Sequence, residues 1–176
     1  QGRGASSPSC DSLCNPGGVT LDKQGNLYVA DHNLEFDGNL RLLEWDASLL
    51  PTNPASALYA IPASRVFGRN NDFTRPDCVP GDPICAPWEP AFNSHGLMAL
   101  GFNGYLGPRF PQLYTDPLVD PLPSAGLLDF HSMPFSARFD PYDNLYVLDH
   151  NRNRVLIYLQ NEYTLKHFWL PVVSRE

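Results

Sequence analysis

The sequence predicts an all-β chain assembled from three copies of one antiparallel unit. Two observations carry that expectation: a long internal repeat, and short apolar stretches separated by turn chemistry. The segment Pro16-Gly-Gly-Val-Thr-Leu-Asp-Lys-Gln-Gly-Asn-Leu-Tyr-Val-Ala-Asp-His-Asn33 returns 118 positions later as Pro134-Phe-Ser-Ala-Arg-Phe-Asp-Pro-Tyr-Asp-Asn-Leu-Tyr-Val-Leu-Asp-His-Asn151, with nine of eighteen residues identical and no gap. Duplication at a fixed offset marks a repeated supersecondary unit. Composition agrees, because 18 prolines and 13 glycines cut the chain into pieces of strand length, as tight turns between strands require.

A weaker third copy lies between these two. Aligning Pro87 with Pro16 places Asn93 on Asp22 and Gly96 on Gly25, with Phe92, Met98 and Leu100 on Leu21, Leu27 and Val29. Arg41, Arg109 and Arg154 then each open an apolar run, Leu42 to Trp45, Phe110 to Tyr114 and Val155 to Tyr158.

Within one unit, Val19 to Asp22 and Leu27 to Ala30 are short and rich in β-branched and aromatic residues, and Lys23-Gln-Gly-Asn26 joins them as a hairpin. Asp140-Pro-Tyr-Asp-Asn144 repeats that turn. Leu40 to Trp45 and Arg154 to Leu159 supply third strands; Ser64 to Gly68 and Tyr163 to Leu170 are outer fourth strands. Asp22 and Asp140 are expected to accept turn N–H groups, and the recurring arginines to pair between strands or between units. Four antiparallel strands make a propeller blade. The expected architecture is therefore three four-stranded antiparallel blades: an N-terminal segment 1–15 with a disulfide loop, blade one at 16–68, a disulfide-bearing loop 69–86, a degenerate blade two at 87–130, and blade three with a C-terminal strand at 131–176.

These units resemble the NHL-repeat family, and in particular secreted bacterial-type NHL-repeat proteins. The family's units run Pro-x-Gly-Val-x-x-Asp-x-x-Gly-Asn-Leu-Tyr-Val-Ala-Asp, followed by Asn-x-Arg and an aliphatic strand. The resemblance covers most of residues 16–170 and is close in the first and third units. In the middle unit Phe102 and Asn103 replace Asp-His, and Pro111 interrupts the third strand. The first unit also has a longer loop around Leu34 to Gly38, and proline-rich insertions at Asp72 to Pro87 and Asp116 to Pro123 are expected on the surface.

Charge and hydropathy exclude two classes of partner. Twelve basic against nineteen acidic side chains give a net charge of −7, and the basic residues are scattered, which argues against nucleic acid. No apolar run could span a membrane as a helix. Gln1 begins no secretory signal, as expected of a mature chain that has lost one. Cys10 and Cys14, and Cys78 and Cys85, sit before the first and second units; two local disulfides are expected, and with them a secreted, extracellular or cell-surface location.

Candidate sites are fewer. His32 and His150 occupy matching positions, and the resemblance implies an enzymatic alternative, a metal-dependent propeller enzyme of amidating-lyase or lactonase type with histidine-held zinc. Repeat-turn hydrogen bonding is the role expected of them. Asp31, Asn33, Glu35 and Asp37 alternate in a glycine-ended loop, as Ca²⁺ ligands do, although a solvated acidic loop is expected and the closing bidentate Glu is missing. Glu44 and Asp46 share a strand face and are expected to be solvated. Trp88, Phe102, Tyr105 and Phe110, with Phe168 and Trp169 in the tail, are candidate binding aromatics for a protein or carbohydrate ligand, against the competing role of filling clefts between blades.

Closed propellers have about four to eight blades, so three blades leave apolar flanks. Another copy, or further sequence, is expected to complete the ring. The expected function is a secreted, non-enzymatic structural or interaction scaffold that self-associates into a closed ring or a filament; a carbohydrate-binding module is a further alternative.

Overall fold

The computed structural model describes residues 12–14, 16–32, 39–53, 61–67, 72–75, 84–102, 112–114, 125–126 and 134–161. They form three small antiparallel sheets, each a meander in which sequential strands are neighbours. The first sheet holds β1 (Pro16–Leu21), β2 (Leu27–Asp31), β3 (Arg41–Trp45) and β4 (Arg65–Phe67). The second holds β5 (Ala91–Phe92), β6 (Met98–Leu100), β7 (Gln112–Tyr114) and β8 (Ala125–Gly126), and the third β9 (Pro134–Phe139), β10 (Leu145–Asp149) and β11 (Arg154–Tyr158). Among the described residues, no helix is long and apolar enough to cross a membrane. The expected outer strand Tyr163 to Leu170 lies outside the described residues.

The first turn of each sheet needs one residue with positive φ, and the repeat supplies it at the same place each time: Gly25 (φ 86°), Gly96 (φ 84°) and Asp143 (φ 61°). Glycine meets that demand without strain, and Asp is among the few other residues that tolerate it.

Alternation along the strands gives each sheet two apolar faces, and the sheets stack through them. Tyr28, Leu42 and Phe67 of the first sheet pack against Met98, Leu100, Phe102 and Tyr114 of the second. The Tyr28 ring lies 4.6 Å from Phe92 and 6.0 Å from Phe67, centroid to centroid. On the opposite face of the second sheet, Ala99 and Leu113 meet Ala137, Leu145, Val147 and Tyr158 of the third.

The two outermost faces differ. That of the first sheet, with Val29, Leu43, Trp45 and Val66, is capped by Leu50, Ile61, Ala63 and Phe73, and Trp45 Nε1 donates to the Ile61 carbonyl at 2.7 Å. That of the third sheet exposes Leu148, Val155 and Ile157.

Two expectations are corrected. The insertion ending at Pro87 is not superficial throughout: Ile84, Cys85 and Ala86 are buried, Ile84 in the core between the first two sheets and Cys85 and Ala86 against Leu40. Backbone pairing makes that burial tolerable, since the Ala86 N–H donates to the Leu40 carbonyl at 3.3 Å and the Trp88 N–H to the Gly101 carbonyl at 2.9 Å. Glu44 is not solvated either, being 3% exposed beside Arg65, and burial holds its carboxyl above the usual range. Asp46 does face solvent, where it caps the 3₁₀ turn Ala47–Leu49 through the Ser48 N–H.

Candidate functional site

The turns between the first two strands of each sheet show what the repeated residues do. Asp22 Oδ1 accepts from the Gln24 and Asn26 amides, both at 2.9 Å, and Oδ2 from Asn26 Nδ2 at 2.9 Å and the Tyr28 hydroxyl at 3.3 Å. Asp140 repeats the set with Tyr142, Asn144 and Tyr146 at 2.8–3.3 Å. The asparagines pass the bond on: Asn26 Oδ1 accepts from the Ala47 N–H at 2.9 Å, and Asn144 Oδ1 from the Gln160 N–H at 3.1 Å. Each hairpin is thereby fastened to the end of its third strand. In the middle unit Asn93 keeps only the two amide bonds, from His95 and Leu97 at 2.9 Å.

The three turns converge on a groove of about 360 Å³. Its walls come from equivalent positions of the repeat, Leu21, Phe92 and Phe139 with Asp22, Asn93 and Asp140. Asp143 ties two of the turns together, accepting from the Ser94 N–H at 2.8 Å and the Ser94 hydroxyl at 2.6 Å, with His95 Nδ1 at 3.1 Å. Burial pushes the Asp143 carboxyl up, but these donors outweigh it and hold it below the usual range. Lys23 Nζ reaches the Ser94 carbonyl at 2.9 Å from the first turn. This clamp between turns was not foreseen, because in the aligned repeats the clamping position is glycine in two copies of three.

At the other end of β2, Asp31 is committed to a structural role. Its carboxylate accepts from the Cys14 N–H at 2.5 Å, Asn39 Nδ2 at 2.8 Å and Arg41 Nε at 3.0 Å, and Arg41 continues to the Phe73 and Ser12 carbonyls at 2.8 and 2.6 Å. Both Asp31 oxygens are therefore engaged by protein donors, which does not suit a calcium ligand. Asn33, Glu35 and Asp37 lie outside the described residues. The same cross-strand pair recurs in the third sheet as Arg154 Nε to Asp149 at 2.8 Å, so the recurring arginine is an inter-strand partner; Arg109 lies outside the described residues.

His32 and His150, matched in sequence, have different surroundings. His32 is 2% exposed, its ring edge-on to Trp88 at 4.4 Å, with Nδ1 buried and lacking a hydrogen-bond partner among the described residues. Burial lowers its pKa to about 4, so the imidazole is neutral near pH 7. It lies over Gly17, the extra residue where the β1–β2 register slips; a Cβ there would come within 2.6 Å of His32 Cε1. His150 is exposed and opens the 3₁₀ turn His150–Arg152. Among the described residues, no three His, Cys, Asp or Glu side chains gather as a metal site would need.

Of the candidate aromatics, Trp88 is half-buried against His32, and Phe102 is wholly buried between the first two sheets. Phe102 stands where Asp31 stands in the first unit, and its apolar ring fills the cleft instead of facing a ligand. Tyr105, Phe110, Phe168 and Trp169 lie outside the described residues. So do Cys10 and Cys78, while Cys14 and Cys85 are buried.

The first hairpin, with its Asp22–Asn26–Tyr28 network and the Asp31 knot, coincides with residues 13–33, which match the NHL repeat family. That stretch is similar to the NHL repeat. No curated protein matches the chain. Within the NHL repeat, the Asp, Asn and Tyr of the pattern are the groups that lock the turn, and its closing Asp is the partner of the third-strand Arg.

Proposed function

We propose that this chain is an interaction scaffold whose three sheets are NHL-type propeller blades, and that it works by self-association into a larger ring or filament. The observation that carries the reading is the open outer face of the third sheet, where Leu148, Val155 and Ile157 are 42%, 56% and 55% exposed although the same face of the other two sheets is buried. A repeated apolar face left bare on the last unit is the signature of an interaction surface. The match of residues 13–33 to the NHL repeat supports the propeller geometry, and the face-to-face stacking of the sheets supports the order of the blades.

Cys85 is disulfide-bonded, which supports a Cys78–Cys85 bridge before the second blade and with it a secreted or cell-surface setting. Cys14 is a buried thiol, so the expected Cys10–Cys14 bridge is not part of this reading. Non-reducing peptide mapping of secreted protein tests the Cys78–Cys85 pairing. Light scattering coupled to size exclusion tests self-association: the reading predicts a mass at or above twice 19.6 kDa, and a concentration-independent monomer defeats it.

A further inference from the structure

Resting on that scaffold reading, we propose that the open face of the third sheet receives the first sheet of a second copy, reproducing a contact the chain already makes twice internally. The register defines which face accepts and which arrives. Tyr28, Ala99 and Tyr146 hold the same place in the three hairpins. The face bearing Tyr28 and Leu42 accepts the second sheet, and the face bearing Ala99 and Leu113 accepts the third. On the third sheet the corresponding face carries Tyr146, Leu148, Val155 and Ile157, with Leu148 opposite Val155 and Tyr146 opposite Ile157.

The arriving face has a signature too. In the second sheet it is Met98, Leu100 and Tyr114, and in the third Leu145, Val147 and Tyr158: two aliphatic residues on the middle strand and an aromatic on the third strand opposite the first of them. The first sheet holds Leu27, Val29 and Trp45 at those positions. Its loops cap Val29, Leu43, Trp45 and Val66, so the part of that face open to a partner is the inner strand, where Val19 and Leu21 are 59% and 57% exposed. Val19 and Leu21 correspond to Ala137 and Phe139, which pack in the cluster that contains Leu113, the equivalent of Ile157. Ile157 of one copy therefore meets Leu21 of the next. Unlike faces joined in this way close a ring of six sheets when two copies make the contact reciprocally.

Charge complementation tests the contact. Ile157→Lys and Leu21→Glu, each at an exposed position, are compared with wild type by light scattering, with near-ultraviolet circular dichroism to verify the fold; Ile157→Gln and Leu21→Gln replace them if either charge prevents folding. Each charged variant alone is expected to weaken self-association about hundredfold. Mixing the two at equal concentration restores the dimer, because one interface regains a Lys–Glu pair and the other keeps its Ile and Leu; with the glutamine variants, loss of the dimer in both is the supporting result. Loss on Ile157 substitution alone, with Leu21 variants unaffected, overturns the proposal in favour of pairing between two third sheets. Dimers that survive both substitutions overturn the proposed surface but keep the scaffold reading. A wild-type monomer at every concentration overturns both.

Discussion

Asp31 and Arg41 face each other across β2 and β3 at 3.0 Å with neither side chain exposed to solvent, and the same register position in the third sheet pairs Asp149 with Arg154 at 2.8 Å with the arginine 42% exposed. One cross-strand geometry is thus present in two dielectric settings. Removing one partner of a buried pair strands a charge and costs about 3–5 kcal/mol, whereas exposed pairs contribute roughly 0–1 kcal/mol. Arg41→Leu is expected to lower stability by an amount in the first range and Arg154→Leu by less, because Arg154 is part exposed and Arg152 Nη1, at 4.0 Å, still faces the buried Asp149 carboxylate. Urea denaturation of both variants checks this, and equal losses contradict it.

His32 makes stability depend on pH. Its folded pKa lies at about 4 against 6.5 in the open chain, so on acidification the unfolded state takes up a proton first. Stability is therefore fully present above about pH 6.5 and declines as pH falls towards 4, by an amount on the order of 3 kcal/mol. His32→Phe should flatten that part of the profile. Thermal melts of wild type and variant between pH 7 and 4 measure the difference, and parallel profiles refute the assignment.

The clamp between turns sets two effects of Asp143 against each other. Asp143→Gly relieves a left-handed backbone, worth about 0.5–1 kcal/mol, but removes the acceptor for the Ser94 amide and hydroxyl and for His95. Hydrogen bonds to a charged group contribute about 1.5–3 kcal/mol each, so a net loss of stability is expected. A stabilised glycine variant, measured by the same denaturation, would show that the clamp contributes little.

Asp22 and Asp140 accept matching sets of turn bonds, which predicts matching costs. Asp22→Ala and Asp140→Ala should each destabilise the protein to a similar degree, since each removes the same set of turn bonds. Native-state hydrogen exchange should show faster exchange at the Asn26 and Asn144 amides in the respective variants and no change in the other turn.

The hairpins were legible in the sequence because what holds them is local: Asp, Gly or Asp at positive φ, and Asn lie within four residues of one another. Features set by neighbours were not. β8 is only Ala125 and Gly126, with no side-chain alternation to betray a strand. Glu44 is buried by Arg65 from another strand, and Ile84 by a cleft between sheets. His32 and His150 sit in nearly identical local sequence, yet Trp88, from the segment leading into the second sheet, buries one ring and the other stays in water.

The reach of these carboxylates orders the events of folding. Asp22 and Asp140 grip partners no more than six residues away, so the outer hairpins close almost without loop-closure entropy. The middle turn borrows Asp143 across 49 residues and must wait for a long loop to shut. Pulse-labelled refolding should therefore protect the amides of Asn26 and Asn144 ahead of that of Ser94, the chain's two ends organising before its centre.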